Sequence, residues 1–452
     1  MARIQDMTKG NPGKLIFFFA LPLMLGNICQ QLYTMVDTII VGQGVGVQAL
    51  ASLGAADWLN WLILGISTGF SQGFSIMIAQ RFGANDMEGL RKSVSMSYLL
   101  GGIIAIIATI LSQLTALPIL KLLKTPENIL SGSLIYLRIS FSGILIVMAY
   151  NVFASILRAL GDGKTPLIAM LIASVINIIL DMLFVFVFHW GIAGAAIATV
   201  VAQVFSGLFC LKAILKISFL KLKRSDWTLN QYMIKRLIQL GTPTAFQNII
   251  ISIGGMVVQY VINGFGFIFV AGFTATNKLY GLLEVASTSF GFSMATFTGQ
   301  NLGAKQLTRI KSGVKTGAIM GIVTAALISC MMFILGEQIV SLFVSGEPNE
   351  IEQVIAVAKT YLMIMSALLP ILYLLYIYRS ALQGMGDTIT PMLSGLIEFI
   401  MRVSVVLILP KIIGQSGVYY AEIAAWTGAT ILLMSTYYLK IRKLSQSIDY
   451  HI

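Results

Sequence analysis

Charge is what this sequence has least of. Its 452 residues carry 18 acidic and 30 basic side chains, 11% of the chain against 57% apolar, where soluble domains hold about 25% charged residues. A water-soluble fold of this length needs several domains and a large polar skin, so a mean hydropathy of +0.87 excludes it. Polar low-complexity tracts are missing too, which excludes a disordered chain. The three cysteines, Cys29, Cys210 and Cys330, sit singly in apolar runs, so there is neither a disulfide framework nor a zinc spacing. Of the two histidines, His189 falls at a helix end and His451 in the tail, and no metal cluster or catalytic triad can be assembled from them. No long polar segment separates the apolar runs, which leaves no room for a soluble catalytic or nucleotide-binding domain. The chain reads as neither an enzyme nor a cofactor carrier.

What is present is a series of hydrophobic runs. A transmembrane helix needs about 20 mainly apolar residues, and twelve such runs occur, near 14–41, 50–80, 93–117, 130–157, 165–188, 191–213, 234–263, 269–300, 312–336, 354–380, 391–411 and 418–439. Turn chemistry separates them, as at Gly42-Gln43-Gly44, Gly161-Asp162-Gly163, Gly346-Glu347-Pro348 and Gly386-Asp387. The first run is too long for a signal peptide and contains Asp37. With the N-terminus inside, 23 of the 30 basic residues fall in inner segments, Arg3 and Arg379 among them, and four, including Lys124, in outer ones. That asymmetry predicts a multi-pass protein of a bacterial-type cytoplasmic membrane with both termini inside. The net charge of +12 is therefore orientation, and dispersed cations of this kind do not make a nucleic-acid surface.

The two halves resemble each other in three places, in the same order. Pro22 and Asn27 align with Pro243 and Asn248; Gln80-Arg81-Phe82-Gly83-Ala84 aligns with Gln300-Asn301-Leu302-Gly303-Ala304; Gly161-Asp162 and Pro166 align with Gly386-Asp387 and Pro391. Six spans per half predict a parallel repeat. The expected fold is an all-α polytopic membrane protein with twelve transmembrane helices in two six-helix bundles, related by a pseudo-twofold axis along the membrane normal. The expected lobes are 1–213 and 234–452, joined by a cytoplasmic linker at 214–233.

Ionisable residues inside spans are costly and mark function by default. Asp37 lies in the outer half of the first span and Asp181 in the outer half of the fifth, neither with a basic neighbour in its own helix. Asn27, Gln30, Thr34 and Asp37 are spaced to form one polar stripe, as are Ser174, Asn177 and Asp181. With Asn151 and Thr199, these faces can line a polar chamber whose oxygens suit a small hard cation; the same carboxylates can instead carry protons. The bland reading of Asn151 and Thr199, bonding to helix backbone, weighs equally. In the second half Val258 and Val406 replace the two aspartates, and Lys278, Glu284, Glu398 and Arg402 occur instead. Glu398 and Arg402, at i and i+4, read as part of a neutralised structural network, with Glu284 as an alternative binding anion. Asp57, Arg138 and Glu422 read as snorkelling residues near the outer ends. The Gly384-Met385-Gly386-Asp387 string, found in intramembrane proteases, is better explained by the repeat.

The Pro22 to Asp37 helix with Val41-Gly42, the paired Gln-x-x-Gly-Ala segments and the Arg158–Pro166 loop resemble the multidrug and toxic compound extrusion (MATE) family over the whole chain. The resemblance implies export of organic cations or other amphiphiles in antiport with Na⁺ or H⁺, by a monomer in the lipid bilayer. It assigns coupling to Asp37, Asn177 and Asp181, joined by Asn151 and Thr199, in the pattern of the DinF-like branch. Asn27, Gln30, Thr34, Gln259 and Glu284 are the candidate substrate contacts. The branch that uses acids in helices seven and ten is matched poorly, since the seventh helix offers Gln259 and no acid. A flippase for lipid-linked precursors is the alternative, and it requires a strongly cationic cavity.

Overall fold

A computed structural model describes residues 4–123, 125–341 and 348–449. Arg3, Lys124, Gly346, Glu347 and His451 lie outside the described residues. The first half runs α1 (Pro12–Gly44), α2 (Val47–Gly83), α3 (Met87–Leu122), α4 (Glu127–Ser142), α5 (Ile144–Ala159), α6 (Lys164–Asp181) and α7 (Gly191–Leu215). The second runs α8 (Gln231–Ile262), α9 (Phe267–Gly303), α10 (Leu307–Ser341), α11 (Pro348–Ala367), α12 (Leu369–Gly384), α13 (Ile389–Ile408), the short α14 (Pro410–Ile413) and α15 (Ala421–Asp449). No strand occurs among the described residues.

Eight helices are long and apolar enough to cross a membrane singly, and the pairs α4–α5 and α11–α12 do so as bent spans. With α9 and α15 they make up the twelve spans. The two bends, of 48° and 50°, fall within the apolar runs at 130–157 and 354–380. At the first, Gly143 lacks a side chain where one would strike Val200 on α7. At the second, Pro370 at the start of α12 cannot donate to the preceding turn.

Solvent exposure defines the membrane face. On α3, Ile103, Ile106, Ile107, Ile110 and Leu114 are exposed on one side, and on α10 so are Ile319, Ile322, Val323 and Leu327. Contiguous apolar stripes of that length are untenable in water and belong against lipid. The opposite face of α10 carries Gly313, Gly317, Gly321, Ala325 and Ser329, one every four residues. A Cβ at the three glycines would strike Phe297, Met294 and Ile377 in turn. Small residues let these helices approach closely where the hydrophobic effect cannot drive them together.

The sequence repeat is a repeat of turn geometry. Gly161 and Gly386 take φ of +83° and +81°, a region glycine occupies without strain. Each is followed by an aspartate that bonds the start of the next helix. Asp162 accepts from the Lys164 and Thr165 amides at 3.1 and 3.0 Å, and Asp387 from the Thr390 amide at 3.1 Å. Both also accept from the same threonine's hydroxyl. The second repeated segment behaves likewise: Asn85 and Lys305, at equivalent places, hold φ of +58° and +57°. These motifs are helix caps, which disposes of the protease reading.

The described residues form two compact units. One comprises Met1–Met7 and Leu21–Asn248, the other Thr8–Ala20 and Ile249–Ile452. Their limits fall at other residues than 1–213, 214–233 and 234–452, because α1 and α8 each begin in one unit and continue in the other. Within the first unit α2 and the start of α8 touch backbone to backbone: a Cβ on Gly69 would lie 2.5 Å from the Ala245 Cα, and one on Gly73 would strike Gly241.

Candidate functional site

Asp37, two turns from the end of α1, and Asp181, the last residue of α6, place their carboxyl groups within hydrogen-bonding reach of each other. Asp181 is fully buried, Asn177 one turn earlier is 1% exposed and Asp37 9%. Four oxygens here accept no hydrogen bond from a donor among the described residues: Asp37 Oδ1, Asn177 Oδ1 and both carboxylate oxygens of Asp181. Buried polar atoms are ordinarily satisfied, so four orphans at one spot describe a site made to accept something. The Tyr33 and Tyr136 phenols and the Asp57 carboxyl lie within electrostatic range.

The local backbone explains how the two aspartates meet. Immediately after Asp181 the chain continues as a π-helical turn, Met182–Val187, a geometry that widens the helix and recurs at functional sites. That turn packs on the end of α1, where a Cβ on Gly44 would lie 2.5 Å from Val185 Cγ1. Only glycine at 44 allows the approach, and the approach brings Asp37 to Asp181.

A cavity of about 20 Å³ adjoins the cluster, lined by the polar side chains of Tyr33, Ser174, Asn177, Thr199, Gln203 and Ser206 together with apolar residues such as Met170 and Ala202. It is large enough for one water or one bare ion. Asn177 Nδ2 donates to Thr199 Oγ1 at 3.5 Å, and its carbonyl oxygen has no partner among the described residues. Thr199 itself donates to Ala195 O at 3.1 Å. Asp37, Asp181, Asn177 and Thr199 are thus brought together. Asn151 Nδ2 donates to Val147 O at 2.9 Å, and the neighbouring Tyr150 lines the cavity.

Gln203, whose Oε1 is buried without a partner, was not singled out in the sequence. One turn after Thr199 on α7, it continues the polar face that Thr199 begins, and that periodicity was the available signal.

The remaining candidates lie elsewhere. Thr34 Oγ1 donates to Gln30 O at 2.9 Å, the local backbone bond of a helical threonine. Gln30 and Asn27 are half-buried on α1, outside the cavity lining. Gln259 Nε2 donates to Asn263 Oδ1 at 2.8 Å near the end of α8.

The second unit holds an ion network whose pairings differ from expectation. Glu398 pairs with Arg379 on α12, while Arg402 pairs with Glu422 on α15 at 2.7 Å. Although i and i+4 on α13, Glu398 and Arg402 each reach a different helix. Arg379, counted from sequence as a loop cation, is 6% exposed. Glu422, expected to snorkel, is half-buried and ion-paired. Both corrections share a cause, since each charge has an opposite partner inside the bundle and need not reach water. Glu284 accepts a hydrogen bond from the Tyr376 hydroxyl. Lys278 is exposed and outside the network.

Fold and site together define a polytopic, all-helical, internally repeated membrane protein with a buried oxygen cluster in its first unit. The MatE family profile matches residues 22–183 and again 243–408, once in each half. The chain belongs to the MatE family, whose members are transporters and not enzymes. It is 29% identical over 421 residues to the "Probable multidrug resistance protein YpnP" of Bacillus subtilis (strain 168), covering 91% of this chain and 92% of that one. It is 24% identical over 437 residues to the "Probable multidrug resistance protein NorM" of Thermotoga maritima, covering 94% and 90%. A solved structure, "Crystal structure of MATE in complex with MaL6", shares the fold with a TM-score of 0.91 at 22% identity, over 98% of this chain and 99% of the other.

Proposed function

We propose that this protein is a secondary multidrug efflux transporter that exports organic cations or amphiphilic compounds in antiport with Na⁺ or H⁺ bound at Asp37 and Asp181. The observation that carries the reading is the facing pair of buried carboxyl groups, three of whose oxygens, with Asn177 Oδ1 beside them, have no hydrogen-bond partner among the described residues. Two such charges in apolar surroundings repel each other and lose their hydration. A small cation between them, or a proton shared by them, removes both costs. Asn177 Oδ1 and the Thr199 hydroxyl complete an oxygen set that suits a hard cation. Na⁺ or H⁺ is cargo here, and its arrival changes which arrangement of the first unit is favoured, biasing the inward-open and outward-open states. The names of the relatives, multidrug resistance proteins, support the substrate class.

The protein acts as a monomer in the cytoplasmic membrane, with both termini inside, as the distribution of Lys and Arg supports. The lobes 1–213 and 234–452 are the moving parts, with 214–233 between them. The flippase alternative calls for unpaired buried cations, whereas Arg379 and Arg402 are each matched by a glutamate. Transport in proteoliposomes, with Na⁺ and pH gradients imposed separately, tests the proposal. One gradient is expected to drive dye export, and export indifferent to both would overturn it.

A further inference from the structure

A second feature lies far from the carboxylates, where α10 begins and α15 ends. Lys311 and Lys315, one turn apart on α10, and Arg442 on α15 line a cavity of about 620 Å³ together with Tyr437 and Ser445. Like charges at this spacing on one helix face repel, and none of the three cations forms an ion pair among the described residues. Lys311 Nζ donates only to the Ser445 hydroxyl, at 2.7 Å. Lys440, two residues from Arg442, contrasts with them, since it is paired with Asp387 at 3.1 Å. Three unmatched cations around one cavity make a receptor for an anion.

The walls indicate which kind. Beyond Lys315 the same side of α10 continues as exposed Ile319, Ile322 and Val323, and α15 continues from Arg442 through exposed Tyr438 to Ile431. A cationic mouth opening onto lipid-facing apolar stripes is the shape of an amphiphile with an anionic head. A soluble phosphate would use the mouth and leave the stripes idle. We infer that this cavity binds the phosphodiester head group of an anionic phospholipid at Lys311, Lys315 and Arg442, with its acyl chains along α10 and α15. Basic pockets between membrane helices hold such head groups.

The test uses the purified full-length protein and native mass spectrometry with added phosphatidylglycerol, cardiolipin or phosphatidylcholine. The anionic lipids are expected to be retained in preference to phosphatidylcholine. The triple variant Lys311→Gln, Lys315→Gln, Arg442→Gln is expected to bind them roughly a hundredfold more weakly. Lys443→Gln, a neighbouring exposed cation outside the cavity, is expected to bind normally, as is the charge-conserving Lys311→Arg, Lys315→Arg, Arg442→Lys protein. These exposed positions leave folding intact, which thermal unfolding verifies. Equal retention of phosphatidylcholine, or unchanged binding by the triple variant, would overturn the inference. So would glycerol phosphate binding as tightly as the lipid, which would assign the cavity to a soluble anion.

Discussion

The carboxyl groups of Asp37 and Asp181 face each other, buried, and neither is ion-paired with a basic side chain among the described residues. Asp37→Asn replaces one of the two facing carboxyl groups with an uncharged amide of the same shape and volume. The variant is expected to fold with an unfolding temperature equal to or above that of the native protein, because one ionisable group fewer is held out of water. Ion-driven dye efflux from proteoliposomes is expected to fall at least about tenfold, the scale of loss when a partner of a cation site is removed. Unchanged efflux would separate this pair from coupling.

The Arg379–Glu398 pair is buried on both sides, with side chains 7% and 5% exposed. Arg379→Met leaves Glu398 as an uncompensated charge and is expected to destabilise the protein by about 3–5 kcal/mol. Adding Glu398→Leu restores most of that loss, because two apolar side chains replace two desolvated ones. Thermal unfolding in detergent of the two single variants and the double variant reads the coupling directly.

Gly73→Ala sets two effects of opposite sign against each other. Intrinsic helix propensity favours alanine by about 1 kcal/mol. The new methyl, however, would enter the backbone of Gly241 on α8, and backbone in a packed helix cannot swing aside as a side chain can. Overpacking of this kind costs about 1–3 kcal/mol, so a net fall in unfolding temperature is expected. At Gly102, where a Cβ meets nothing within 4 Å, the same change is expected to be neutral or stabilising.

Asp387 carries a pH dependence that can be read from outside the spans. Partial burial works against its ionisation, but the Thr390 amide and the Lys440 ammonium outweigh that and hold its carboxyl below the ordinary value. A depressed carboxyl stabilises the fold at pH values above the unfolded value of about 4, and the contribution is lost as pH falls below it. Asp387→Asn is therefore expected to lower the unfolding temperature at pH 6 and to converge with the native protein toward pH 3. A difference that persists at pH 3 would place its role in shape alone.

The membrane architecture was legible because hydrocarbon filters composition so strongly. Runs of about 20 apolar residues have no other use at this frequency, and Asp37 and Asp181 stand out in them for the same reason. The bends after Ser142 and Ala367 were not legible, since a helix that breaks and resumes keeps its hydropathy. The ion network was half legible. Glu398, Arg402 and Glu284 announced themselves as costly, but partners on other helices, such as Arg379 and Glu422, are set by packing and not by spacing along one chain. Gln203 escaped notice because a neutral amide in a span has many bland uses; only its unpartnered oxygen beside Asn177 distinguishes it.

The way α1 and α8 are shared between the two compact units bears on how the protein is made. Residues 8–20 are synthesised near the start, yet the unit they belong to is not finished until residues 249–452 follow. The first unit, by contrast, is complete once residue 248 has been made. A nascent chain therefore carries the opening segment of the second unit without its partners through the synthesis of the entire first unit, and residues 249–452 alone do not specify a complete second unit.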